Sequence, residues 1–207
     1  MALDEALLEA MPRLQRPVLR LYSWDEAAAS FGYFQKYGEV ERLTPLRPLV
    51  RRPTGGGVVP HADDWTYSLA FPNGHEWYQL TARESYRRVH QWLLDAFARR
   101  NIATLLAPVA RPGEPGPCFA GYEQFDLLWG GNKIAGAAQR RKREGLLIQG
   151  SVQPGAIALR RADWETALCE AASDAQWQAF EPDAGLQQRA LDLAQKKYSQ
   201  ISYNQKR

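Results

Sequence analysis

Two side chains stand out for the chemistry they can perform. Cys118 lies in Gly116-Pro117-Cys118-Phe119, at the end of a Pro/Gly loop running from Pro108 to Pro117. Loops carry function disproportionately. A thiolate near a fixed positive charge is an effective nucleophile toward thioesters or activated acids. The plainer alternative for a single cysteine is a small buried apolar residue. Lys133 directly follows the turn Gly130-Gly131-Asn132 and is followed by Ile134-Ala135-Gly136-Ala137-Ala138-Gln139. Small residues on such a strand let a ligand lie across it, and a fixed lysine beside that surface can polarise a carbonyl or neutralise oxyanion charge. Its alternative is a solvated hairpin lysine. A third stretch, Arg51-Arg52-Pro53-Thr54-Gly55-Gly56-Gly57, followed by His61, can bend closely around a ligand. Its amides can form an anion- or carbonyl-binding concavity, and its arginines can supply donors for a carboxylate or phosphate. A glycine-rich hairpin with solvated arginines is the alternative there.

The elements that must position these residues follow from periodicity and punctuation. Ala2 to Met11 reads as a helix with Leu3, Leu7 and Leu8 on one face, acids in the first turn and Pro12 ending it. Val18–Trp24, Leu46–Arg52, Trp65–Phe71, Ile102–Leu106, Phe125–Trp129, Lys133–Ala138 and Leu146–Val152 read as strands. Asp25–Ser30 reads as a turn or short helix. Thr81-x-x-Glu84 has the form of a capping box, with Tyr86, Val89, Leu93 and Phe97 at helical spacing behind it. The Gly-Gly turn predicts a tight hairpin, and two further helices are expected at Ala162–Ala172 and Gly185–Tyr198. The fold class is α+β, a mixed sheet flanked by helices. Whether Cys118 and Lys133 meet at one end of that sheet or lie at opposite ends is open at this level.

Composition narrows the classes. At 207 residues, with 45% hydrophobic and 24% charged residues, the chain suits a folded domain with a real core. No composition break marks a second unit, so a single domain over 1–207 is expected. The net charge of +3 is too mild to argue for nucleic acid. The basic run Arg140-Arg141-Lys142-Arg143, read as the turn between two strands, can be merely solvated or can steer an acidic protein partner. It lacks the interleaved aromatics of a nucleic-acid surface. Three histidines without paired His/Cys/Asp spacing argue against zinc, and no metal site is expected. Two cysteines form no disulfide framework, no signal peptide is visible and no apolar run approaches a membrane span, so a cytoplasmic protein with no membrane association is expected. Cys169, on an expected helix, reads as core.

These motifs, in this order, resemble the lipoate–protein ligase A and octanoyltransferase superfamily, whose catalytic fold is shared with biotin protein ligases. Asp4-Glu5-Ala6-Leu7-Leu8 resembles its opening helix. Leu19–Trp24 and Ser30–Gln35 are similar to its first strands, and Arg51–Gly57 with His61 to its acyl-binding loop. Gly131–Arg140 resembles the loop bearing an essential lysine, and Leu146–Ser151 the strand after it. Thr54 stands where serine is usual, and Gln149-Gly150 lacks a histidine often found between them.

The resemblance implies Lys133 as the essential lysine and Cys118 as the nucleophile of the LipM-like transferase branch. It implies Arg52, Gly55, Gly56, Gly57, His61, Gly136 and Ala137 as the acyl-binding set. An octanoyl or lipoyl group would pass from octanoyl acyl carrier protein to Cys118, then to a lysine of the lipoyl domains of 2-oxoacid dehydrogenases or of glycine-cleavage H protein. No cofactor is needed on that reading. The alternative is a ligase that uses ATP and Mg to make lipoyl-AMP. A biotin ligase-like enzyme and a non-catalytic carrier-binding protein are the remaining classes.

Overall fold

The computed structural model describes residues 1–113, 121–172 and 175–206. In chain order its elements are α1 (Ala2–Leu14), β1 (Val18–Tyr22), β2 (Ala28–Phe31), α2 (Tyr37–Leu43), β3 (Leu49–Arg51), β4 (Val59–His61), β5 (Trp65–Pro72) and α3 (Glu76–Gln79). There follow α4 (Ala82–Ala98), β6 (Leu105–Leu106), β7 (Leu127–Trp129), β8 (Asn132–Lys142), β9 (Gly145–Val152), α5 (Arg161–Ala171), α6 (Ala184–Leu193), a π-helical segment at Ala194–Tyr198, and α7 (Ile201–Asn204).

Among the described residues a large sheet runs in the order β1-β5-β9-β8-β7-β6, with every pair antiparallel. A small sheet, β3-β2-β4, carries the only mixed pairing there: β2 is parallel to β3 and antiparallel to β4. The expected α+β class holds, with the mixed character confined to the small sheet.

One face of the large sheet is apolar for a sequence-level reason. Tyr67, Leu69 and Phe71 of β5 sit opposite Gly150, Ile148 and Leu146 of β9, so alternate residues of both strands share a face. Val89, Leu93 and Phe97 of α4 and Trp164 and Leu168 of α5 cover it. Each such side chain contributes about 1.5–3 kcal/mol through burial. The capping box forms as expected: Thr81 Oγ1 accepts from the Glu84 amide at 3.2 Å, and Glu84 accepts from the Thr81 amide at 2.9 Å. The hairpin turn also forms, with Gly130 at φ 56° and Gly131 at φ 81°, values that suit glycine.

Several expectations need correction. Pro12 does not end α1, which continues to Leu14 and stops at Gln15, left-handed at φ 52°, whose amide reaches Met11 O. A proline in the last turn forfeits only one helical bond there. Asp4 and Glu5 are not solvated acids complementing a helix dipole; they are 0% and 4% exposed, Asp4 bonding Arg20, Ser68 and Gln149 of the sheet and Glu5 bonding Lys197 and Tyr198. The run Asp25–Ser30 ends in β2 rather than a helix, and α2 and α3 had no clear periodicity. Arg140 to Lys142 belong to β8, with only Arg143 and Glu144 left for the turn, because a two-residue loop suffices to reverse the chain.

Candidate active site

The strand positions opposite the core face are polar, and they are buried too. Thr66 and Ser68 of β5 and Gln149 and Ser151 of β9 point toward α1 and the small sheet, each at most 5% exposed. Between the two sheets lies a cavity of about 370 Å³, walled by the glycine loop, β8, β9 and strands β2 and β4 of the small sheet.

Lys133 projects into this cavity from the start of β8. Its ammonium lies 2.7 Å from Oδ2 of Asp126, which is fully buried, while 14% of the lysine side chain stays exposed, so the charge is fixed yet faces the open space. Asp126 is itself held in place: the Glu123 amide donates to it at 2.7 Å, and the Tyr86 hydroxyl donates to its other oxygen. Burial and the Asp126 charge push the Tyr86 phenol well above its ordinary range, so it remains a donor. Gly136 makes room for the arrangement. A Cβ there would sit 2.9 Å from Lys133 Nζ and 3.2 Å from Asp126 Oδ1.

The glycine loop is anchored from below. Gly32 packs so closely that a Cβ on it would lie 2.0 Å from the carbonyl oxygen of Gly56, and Gly56 adopts φ 85°. Arg52 turns inward, donating to Gly55 O at 2.9 Å, Gly57 O at 2.7 Å and Ser30 Oγ at 2.9 Å. Arg51 is fully buried and donates to the carbonyls of Tyr33, Gln35 and Asn204 at 2.8, 2.7 and 2.9 Å. Both arginines thus bind the chain's own carbonyls, where the sequence suggested donors for a ligand anion.

His61 is stacked on Trp24 at 4.1 Å and 3% exposed. Burial holds its pKa below the ordinary 6.5. The neutral ring donates from Nδ1 to Asp64 Oδ2 at 2.9 Å and accepts the Ser30 hydroxyl at Nε2, 2.6 Å away.

The structure therefore gathers Arg52, Gly56, Gly57, His61, Lys133, Gly136 and Ala137 on one cavity. Gly55 lies on an adjoining cleft that shares Gly56, Tyr86 and Ala137 with it. Cys118 lies outside the described residues; Gly113 and Gly121, the described residues on either side of its segment, both line the cavity. Cys169 is elsewhere, half-buried on α5, where burial pushes its thiol up. The basic run is dispersed by strand alternation. Arg140 reaches Pro53 O at 2.8 Å behind the glycine loop, Lys142 lies 3.7 Å from Glu5, and Arg141 bonds the Tyr78 carbonyl on the other face. Arg143 alone projects fully, at 93% exposure. Residues that sequence reasoning missed are Asp126, Tyr86, Ser30, Asp64, Gln149 and Ser151. For Asp126 a signal existed: an acid set between apolar neighbours seven residues before the lysine.

A family model described as "Lipoyl protein ligase A/B catalytic domain" matches residues 1–153. The chain belongs to this family. Among curated relatives, octanoyltransferase LipM of Staphylococcus aureus is 36% identical over 165 residues, 73% of this chain and 60% of the relative. Octanoyltransferase LipM of Carboxydothermus hydrogenoformans is 36% identical over 160 residues, 73% of this chain and 59% of the relative. The chain thus spans about 60% of the length of the curated relatives it matches. Among solved structures, a bi-partite lipoate protein ligase from Thermoplasma acidophilum superposes with a TM-score of 0.72 at 17% identity, covering 98% of this chain and 91% of that one. A lipoate-protein ligase A bound with ATP gives 0.75 at 18%, covering 99% and 94%. These two establish the family fold. No helix among the described residues is long and apolar enough to cross a membrane.

Proposed function

We propose that the protein is an octanoyltransferase that moves an octanoyl group from the thioester of an acyl carrier protein to a lysine of a lipoyl domain, through a thioester on Cys118. The observation that carries this reading is the Lys133 ammonium, fixed by Asp126 on the wall of a cavity bounded by the glycine loop. That placement suits a carbonyl oxygen whose charge grows during attack. The LipM relatives support the transferase over the ATP-dependent ligase.

In the first half-reaction the Cys118 thiolate attacks the acyl carbonyl. A tetrahedral oxyanion forms beside Lys133, and the carrier's thiolate leaves and takes up a proton. In the second, the neutral amine of the acceptor lysine attacks the acyl-cysteine. The C–S bond breaks, the thiolate of Cys118 returns, and the amine's proton passes to solvent. Splitting one difficult transfer into two easier ones is the use of such a nucleophile. Asp126 and Tyr86 keep the ammonium aimed; Arg52 keeps the loop in shape. No nucleotide enters. Lipoyl domains and the glycine-cleavage H protein are the acceptor class, the cytoplasm is the compartment, and residues 1–207 act as one catalytic unit.

The test is intact-mass measurement after mixing the protein with octanoyl acyl carrier protein in the absence of ATP. An octanoyl adduct, absent from Cys118→Ala, is expected. Transfer that survives Cys118→Ala and requires ATP would instead establish the ligase.

A further inference from the structure

The inner wall of the cavity is built from Tyr22, His61, Thr66, Gln149 and Ser151, a polar set for a site proposed to take a hydrocarbon chain. The structure shows where their polar ends go. His61 Nδ1 at 2.9 Å, Thr66 Oγ1 at 2.8 Å and Ser151 Oγ at 2.7 Å all donate to the same oxygen, Oδ2 of Asp64. Tyr22 Oη at 3.0 Å and Gln149 Nε2 at 2.7 Å donate to Oδ2 of Asp4. Both carboxylates are buried: the side chain of Asp64 is 2% exposed and that of Asp4 is fully buried.

The remaining valences are used as well. Thr66 Oγ1 accepts the Trp24 indole N–H at 3.2 Å, Ser151 Oγ accepts from Gln153 at 3.0 Å, and the Gln149 carbonyl accepts the Thr54 hydroxyl at 2.9 Å. With their polar ends engaged by Asp64, Asp4 and their neighbours, these five side chains offer an entering chain mainly their carbon surfaces. A hydroxyl entering against this wall would lose its water and find these five side chains already engaged, which costs free energy that a methylene does not.

We infer that Asp64 is a specificity-determining residue: by drawing His61, Thr66 and Ser151 away from the cavity, it restricts the site to unsubstituted acyl chains and rejects hydroxylated ones. This rests on the acyl-transfer reading above. The position of the discrimination also follows. Ser151 pairs across the strands with Gly136, which lies against the Lys133 ammonium, so the wall that Asp64 controls begins close to the reacting carbonyl. A hydroxyl on the third carbon of the chain is therefore the sensitive probe.

The experiment sets octanoyl carrier protein against 3-hydroxyoctanoyl carrier protein in competition and reads the ratio of the two kcat/KM values. An apolar pocket rejects a chain with one added hydroxyl by on the order of 10²-fold, and the wild type should do so. Asp64→Leu, which frees the three donors, should cut that ratio by about tenfold or more. The triple variant Asp64→Leu/Thr66→Val/Ser151→Ala, which removes two of the freed donors, should restore most of it. Circular dichroism checks folding; if Asp64→Leu does not fold, Asp64→Asn should move the ratio in the same direction. An unchanged ratio in the Asp64 variants, or no recovery in the triple variant, overturns the inference while leaving acyl transfer intact. A wild type that transfers neither chain overturns the transfer reading and this inference with it.

Discussion

Substituting Gly136 by alanine should separate activity from stability. The new Cβ would sit 2.9 Å from both Cε and Nζ of Lys133, whereas ordinary contact begins at 3.4 Å and extends to 4 Å. The ammonium must therefore recede by about 0.5–1 Å, away from its place beside Asp126. A misplacement of that size at a reacting centre costs up to about 10²-fold in rate, or about 2.7 kcal/mol of transition-state stabilisation. Folding should be nearly indifferent. The lysine atoms end a flexible chain, Asp126 Oδ1 at 3.2 Å needs to give by only a few tenths of an ångström, and alanine lowers the entropy of the unfolded state by about 0.4–1 kcal/mol. A net change within about 1 kcal/mol corresponds to about 2–4 °C in Tm for a protein of this size. The assay pairs octanoyl transfer to a lipoyl domain, followed by mass, with thermal unfolding. Gly150→Ala is the contrast: its Cβ would fall 2.1 Å from Tyr67 Cζ, on a ring 1% exposed that cannot recede. That variant should lose about 3 kcal/mol or more. Transfer by Gly136→Ala within threefold of the parent, or a fall in Tm as large as that of Gly150→Ala, would refute the reasoning.

Asp126→Asn leaves one acceptor oxygen where Tyr86 and the Glu123 amide used two, and removes the charge opposite Lys133. Transfer should fall at least tenfold and stability by about 1–3 kcal/mol, read by the same two assays. His90 is buried as the neutral ring: burial lowers its pKa from 6.5 to about 4, while Nδ1 donates to Tyr86 O at 2.9 Å. Because the unfolded chain takes up this proton first, stability should decline as pH falls from 6.5 toward 4, by about 3 kcal/mol in all. Urea titrations of wild type and His90→Gln should show a shallower decline in the variant. Arg51→Ala strips donors from the carbonyls of Tyr33, Gln35 and Asn204. A loss of about 3 kcal/mol is expected, and about 6–12 °C in Tm, with no rescue by lysine, whose single ammonium cannot span that set.

The elements that periodicity specifies were readable: the capped helix α4, the Gly-Gly hairpin and the apolar halves of β5 and β9. What alternation could not reveal was the fate of the other halves. By the usual rule, Thr66, Ser68, Gln149 and Ser151 alternate with apolar neighbours as on a strand with one wet face. Their face is instead closed by α1 and the small sheet; Ser68 and Gln149 reach Asp4, 64 and 145 residues away, and Ser151 reaches Asp64, 87 residues away. Lys133, His61 and the glycine loop stood out as candidates because their types are unusual at those places, and the structure sets them on one cavity. Asp126 was passed over because one acid beside a strand has no period. The bonds of Arg51 and Arg52 to the chain's own carbonyls were not legible, because a guanidinium so engaged looks, in sequence, like one facing an anion. The basic run was read as a patch because neighbours in sequence become opposites on a strand.

Gly32 illustrates how a position can matter without taking part. Its missing side chain is the gap into which the Gly56 carbonyl fits, so any replacement would lift the roof of the site as a block. In a saturation library screened for activity, position 32 should score as harshly as the lysine itself. Intolerance there would report an architectural clearance, and the two kinds of essential residue would part only when the survivors' folding is measured alongside their turnover.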